Sequence, residues 1–278
     1  MHKSPHHGLS VEFAEHKPYN QGDEFRHIDW KVYGKTERFY IRQYAGETNL
    51  RAYLLLDISH SMDFRYHADW SKLRYGIHLA AALIHLLHRQ RDAFGLITFD
   101  EEIQTRYPAR STAHHQQLLY GELEKLLASE SERSDHPRRS ASADVFHQLA
   151  DSIEKRSMVI VLSDLFENVN EQSELISGLK HLRKNRHEVL LLNLLEHQSE
   201  RLFDFPDGPV RFEDMETGAE VEVSPAQLRA VYRERMEEHL GRLRSACSEY
   251  SIDLEEVDTR QPFEKTLLSW LVKRKRIR

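Results

Sequence analysis

Hydrophobic positions along the chain fall into short unbroken runs separated by longer stretches of helical spacing. Ala52–Leu56 is a continuous apolar run, the signature of a strand buried on both faces. Trp70, Leu73, Ile77, Ala80, Ile84 and Leu87 then recur at helical spacing, which predicts a helix over Trp70–Arg89. Leu79, Leu83 and Leu86 widen its apolar face and imply deep packing. Phe94–Phe99 reads as a second strand, Ile103–Tyr107 as a third, and His115–Leu127 as a helix. The polar stretch Ser129–Arg139, with its proline, reads as a loop. Helix is predicted at Val145–Ile153, strand at Met158–Leu162, helix at Glu171–Lys184 and strand at Val189–Leu195. Val210–Val223 breaks this rhythm. Thr217-Gly218 sits there between two short extended runs and predicts an inserted hairpin. A long amphipathic helix follows, marked by Leu228, Tyr232, Met236, Leu240, Leu243, Cys247 and Tyr250. A last strand at Ile252–Val257 and a last helix at Phe263–Leu271 complete the pattern.

Strand alternating with helix predicts an α/β fold with a doubly wound, mostly parallel sheet covered on both faces. Residues 1–50 differ from the rest. Glu12–Tyr19 and Arg38–Tyr44 read as strands around a turn-rich middle containing Gln21-Gly22-Asp23. This segment has little apolar material of its own and is expected to pack on the domain formed by residues 51–278.

Composition narrows the class. At about 150 residues per domain, 278 residues suit two domains, or one large domain with appendages. The 40% hydrophobic content is too high for wholesale disorder. A net charge of −6 argues against nucleic-acid binding through the whole surface. The longest apolar run, Leu79–Ile84, falls far short of the roughly 20 residues that a membrane helix needs. No signal-like apolar stretch follows Met1-His2-Lys3-Ser4-Pro5, and Cys247 is the single cysteine. A cytoplasmic protein without a disulfide is therefore expected.

In an open parallel sheet, ligands bind beyond the carboxyl ends of the strands. The first buried strand runs into Asp57-Ile58-Ser59-His60-Ser61, and Met158–Leu162 runs into Ser163-Asp164. Two carboxylates thus arrive at one sheet edge, where they repel unless protonated or bridged by a cation. Serine hydroxyls beside them complete an all-oxygen donor set. That set suits Mg²⁺, with Mn²⁺ or Ca²⁺ as alternatives.

The Asp-x-Ser-x-Ser pattern at Asp57, Ser59 and Ser61 resembles the first loop of the metal-ion-dependent adhesion site of von Willebrand factor A domains. The resemblance implies a third-loop aspartate, matched by Asp164, and a second-loop threonine. Counting back from Leu149-Ala150 puts Ser140 in the threonine's place, with Ser142 as the alternative. The flanks are more specific. Glu12-Phe13-Ala14-Glu15, Tyr19-Asn20-Gln21-Gly22-Asp23-Glu24, Arg26-His27-Ile28-Asp29-Trp30-Lys31 and Arg38-Phe39-Tyr40-Ile41-Arg42-Gln43-Tyr44 resemble the bacterial domain-of-unknown-function family 58. That resemblance covers nearly the whole chain. It implies a von Willebrand A-like domain, association with a MoxR-type AAA+ ATPase or its client, and no known reaction.

Two function classes follow. The first is a non-enzymatic interaction module, in which the metal binds an acidic group of a partner and His60, Asp63 and Glu167 form the rim. The second is an Mg²⁺-dependent phosphoester hydrolase with Asp63 or Glu167 as base. Other signals have plainer readings. The 18 histidines lack a zinc-binding pattern such as His-Glu-x-x-His. Arg26, Asp29, Trp30 and Lys31 read as an ion-pair and stacking cluster that anchors the N-terminal segment, with a partner surface as the alternative. The basic Lys273–Arg278 tail reads as a solvated helix end, with peripheral membrane contact as the alternative. Cys247 reads as a small core filler. No glycine-rich phosphate loop appears, so the chain itself is not expected to be the ATPase.

Overall fold

The structure, a computed structural model, describes residues 13–19, 28–44, 50–129, 142–165, 172–214 and 218–276. The chain divides into two compact units, Met1–Leu50 and Arg51–Arg278.

In the first unit, strand β1 (Phe13–Pro18) pairs antiparallel with β2 (Tyr40–Tyr44), and helix α1 (Trp30–Thr36) lies between them in sequence. The strands fall where the pattern places them; α1 was not anticipated. Its cause is local. The Asp29 carboxylate accepts hydrogen bonds from the backbone N–H groups of Lys31 (3.0 Å) and Val32 (3.3 Å), capping the helix start. Glu37 closes the other end in the left-handed conformation, its N–H bonded to the Tyr33 carbonyl. Asp29 therefore caps a helix. The Trp30 ring is 62% exposed and meets Tyr33 and Phe39 edge-on. Arg26 lies outside the described residues.

The second unit is built on six strands: β3 (Arg51–Asp57), β4 (Ala93–Phe99), β5 (Ile103–Arg110), β6 (Met158–Ser163), β7 (Glu188–Leu195) and β10 (Asp253–Asp258). Their order across the sheet is β10-β7-β6-β3-β4-β5, and only β5 runs antiparallel. The central strands are apolar on both faces because helices cover both. Helix α2 (Lys72–Arg89) packs on one face with α3 (Ala113–Ser129) and α7 (Phe263–Arg276) against it. On the other face, α4 (Ser142–Ser152), α5 (Gln172–Lys184) and the C-terminal part of α6 (Pro225–Glu249) share a core with Tyr53, Leu55, Val159, Val161 and Leu191. The result is a doubly wound sheet, consistent with the von Willebrand A-like architecture. The expected hairpin is present as β8 (Val210–Glu213) and β9 (Glu220–Val223).

Two short turns shape the upper rim: a 3-10 turn at His60–Asp63 after β3, and a π turn at His197–Arg201 after β7. The order of strands reverses at β3, which has β4 on one side and β6 on the other. That is the crevice where doubly wound sheets bind ligands. Cys247 is buried in the core, and burial pushes its thiol up to about 12, as a core filler requires. Among the described residues, no helix is long and apolar enough to cross a membrane.

Gly95 in β4 shows how tightly the sheet's antiparallel edge is closed. A side-chain carbon there would lie 2.5 Å from the Tyr107 carbonyl oxygen and 3.0 Å from the Tyr53 ring. Backbone cannot yield as a flexible side chain does. Gly95→Ala is expected to lower stability by about 1–3 kcal/mol in urea unfolding.

Candidate functional site

Asp57 ends β3 and is completely buried. Its Oδ1 accepts the Ser59 N–H at 2.8 Å, an Asx turn that bends the chain into the 3-10 turn. That turn brings the Ser59 and Ser61 hydroxyls to 3.1 Å from each other. Across the strand pair, Leu56 is in register with Leu162, so Asp57 faces Ser163. The Ser163 hydroxyl donates to Asp57 Oδ2 at 2.6 Å and accepts the Leu165 N–H at 2.9 Å. Leu165 itself is left-handed, with φ of 50°, a strained conformation for leucine directly after Asp164.

The second carboxylate follows a different course. Asp164 is buried, and its Oδ2 accepts from Lys72 Nζ at 2.7 Å. The same ammonium donates to Glu200 Oε1 at 2.5 Å and stands 5.4 Å from the centre of the Phe64 ring. Lys72 is the first residue of α2, just past the capping Ser71, and is buried. Glu200 is held by the Glu196 N–H, which donates to its Oε2 at 2.6 Å. The buried Glu196 carboxylate accepts the N–H groups of Tyr66 (2.8 Å), His67 and Ala68, and the Ser199 hydroxyl at 2.6 Å. One carboxylate thus pins the segment that joins the 3-10 turn to α2.

These environments set the charges. Burial, and then the nearby Asp164 charge, push the Asp57 carboxyl up to about 6, against the bonds from Ser163 and Ser59. Burial disfavours the Lys72 charge, but Asp164 and Glu200 outweigh it and hold the ammonium protonated. Burial raises the Glu200 carboxyl, and the Lys72 charge opposes that rise.

Of the residues singled out from the sequence, Asp57, Ser59 and Ser61 meet at this edge. Asp164 arrives beside them, paired with Lys72. His60 and Asp63 sit on the 3-10 turn, 3.4 Å apart, half-buried at the rim. Ser140 and Glu167 lie outside the described residues, and Ser142 begins α4. Ser163, Lys72, Glu196 and Glu200 were not singled out as site groups. The one local signal was Lys72 in the first turn of a predicted helix, where a cation opposes the helix dipole. The histidines do other work: His78 bonds the Arg74 carbonyl and His115 the Phe94 carbonyl. Among the described residues, no three His, Cys, Asp or Glu side chains gather as a metal site. The donors that do converge are one carboxylate and two serine hydroxyls, a hard oxygen set of the kind Mg²⁺ takes.

Comparison with known proteins places this architecture in a wider group. The conserved hypothetical protein BatB from Bacteroides thetaiotaomicron shares the fold, with a TM-score of 0.52 at 15% identity over 81% of this chain and 98% of that one. Residues 15–242 match the family described as protein of unknown function DUF58, and the chain belongs to that family. It is 28% identical over 230 residues to the uncharacterized protein Rv1480 of Mycobacterium tuberculosis (strain ATCC 25618 / H37Rv) and to the uncharacterized protein Mb1516 of Mycobacterium bovis. Those alignments cover 79% of this chain and 66% of each relative, so the chain spans about two thirds of their length.

The charge analysis makes two predictions. Asp57 takes up its proton more readily when folded than its ordinary value of 3.8 allows. The resulting stabilisation is complete below about pH 4 and is lost as pH rises through 6. In chelator, Asp57→Asn is therefore expected to be more stable than wild type by up to about 3 kcal/mol above pH 6, with the gap closing toward pH 4. Denaturant unfolding across that range measures it. Glu196→Gln sets an amide N–H₂ against backbone donors and is expected to cost about 2–3 kcal/mol. Faster amide exchange at Tyr66, His67 and Ala68 would locate the loss.

Proposed function

We propose that this edge of the sheet is a protein-docking site that takes Mg²⁺. Asp57, Ser59 and Ser61 would hold the ion, with a second-loop hydroxyl from Ser140 and the Asp164 charge close by. Bound there, Mg²⁺ supplies a hard electrophilic position that favours an anionic oxygen over other groups. A partner's Asp or Glu fills it, and His60, Asp63 and Glu167 frame the contact. The observation that carries this reading is the convergence of Asp57, Ser59 and Ser61 at the strand-order reversal, with Asp57 buried and short of positive charge. The family resemblance supports a MoxR-type AAA+ ATPase, or a client of one, as the partner. The chain then acts as a non-enzymatic adaptor in the cytoplasm, where a single unpaired cysteine is at home. The hydrolase reading asks for a base beside the metal; of its two candidates, Asp63 stands 3.4 Å from His60 and Glu167 lies outside the described residues.

The test is capture of a MoxR-type ATPase by the full chain in Mg²⁺ and in chelator. Wild type in Mg²⁺ is expected to retain at least tenfold more ATPase than wild type in chelator, or than Asp57→Ala or Ser59→Ala in Mg²⁺. Equal capture in all arms removes the metal-bridged reading.

A further inference from the structure

We propose that Lys72 is a resident cation of this site: it competes with the divalent ion for Asp164 and withdraws onto Glu200 when the ion binds. The inference rests on the metal-docking reading above and adds the residue that sets its affinity.

The position of Lys72 is unfavourable on three counts before its partners are considered. It opens α2, where the helix dipole repels a positive charge. It is buried, and burying an ammonium costs several kcal/mol before compensation. It is also long and flexible, and ordering it sacrifices side-chain entropy. Two carboxylates compensate. Asp164 lies one residue beyond Ser163, whose hydroxyl holds Asp57, so this partner belongs to the candidate metal site. Glu200 belongs to the π turn, and the Glu196 N–H fixes its other oxygen. The ammonium therefore stands between a seat inside the site and an anchored seat outside it. Lysine suits such a transfer, because its charge is compact, it carries three donors, and its stem pivots.

While Lys72 sits on Asp164, an incoming ion gains less from that carboxylate and binds weakly. A partner's carboxylate then supplies the missing anionic ligand, so binding of metal and partner reinforce each other.

The experiment is calorimetric titration of the full chain with MgCl₂ and MnCl₂, in wild type, Lys72→Met and Glu200→Gln, with melting temperatures measured alongside. Lys72→Met removes the competing charge and is expected to bind both ions at least tenfold more tightly, with a larger metal-induced rise in Tm. Glu200→Gln removes the outer seat, holds the ammonium on Asp164, and is expected to weaken binding at least threefold. If wild type binds and Lys72→Met binds equally or more weakly, the lysine proposal falls and the docking reading stands. If folded wild type and folded Lys72→Met both take up neither ion, the underlying metal reading falls with it. Should Lys72→Met fail to fold, Glu200→Gln decides, since unchanged or tighter binding there overturns the proposal.

Discussion

The upper rim of this sheet is organised by the need to neutralise carboxylates in a place with little water. Asp57, Asp164, Glu196 and Glu200 cluster where β3, β6 and β7 end, and three different solutions serve them. Glu196 takes backbone N–H groups, Asp164 and Glu200 share an ammonium, and Asp57 takes one hydroxyl and one amide. An uncompensated charge there would cost more than one or two of these bonds return. The local backbone follows from this requirement. The start of α2 places Lys72, the π turn places Glu200, and the Asx turn aims the serines.

Much of the architecture was legible in the sequence because the physics that sets it is local. Unbroken apolar runs such as Ala52–Leu56 and Met158–Leu162, short and flanked by polar residues, read as strands covered on both faces, and the turn signal Thr217-Gly218 marked the hairpin. Boundaries were less exact for a physical reason. Trp70 continues the apolar spacing of α2, yet Ser71 caps the helix, so Trp70 stays outside and stacks on His78. Helix α1 has seven residues, too few to show a period, and only its Asp29 cap announces it.

The candidate site divides along the same line. Asp57, Ser59 and Ser61 could be read together because a single turn holds them. Lys72, Glu196 and Glu200 could not, because their partners lie 92 to 130 residues away and only the fold brings them close. A buried lysine looks in sequence like any other helix lysine. The strand-order reversal does the joining, since it puts the ends of β3 and β6 side by side with β7 next in line.

The grip of Glu196 on three successive amide groups has a mechanical consequence. Those amides belong to one short stretch and share one anchor, so removing the anchor would leave all three unpaired at once. The stretch leads into α2, and the anchor stands at the foot of the π turn. Glu196 thus ties the end of β7 directly to the approach to α2, side chain to backbone. Loss of that one carboxylate would therefore loosen the approach to α2 and the base of the π turn in a single step.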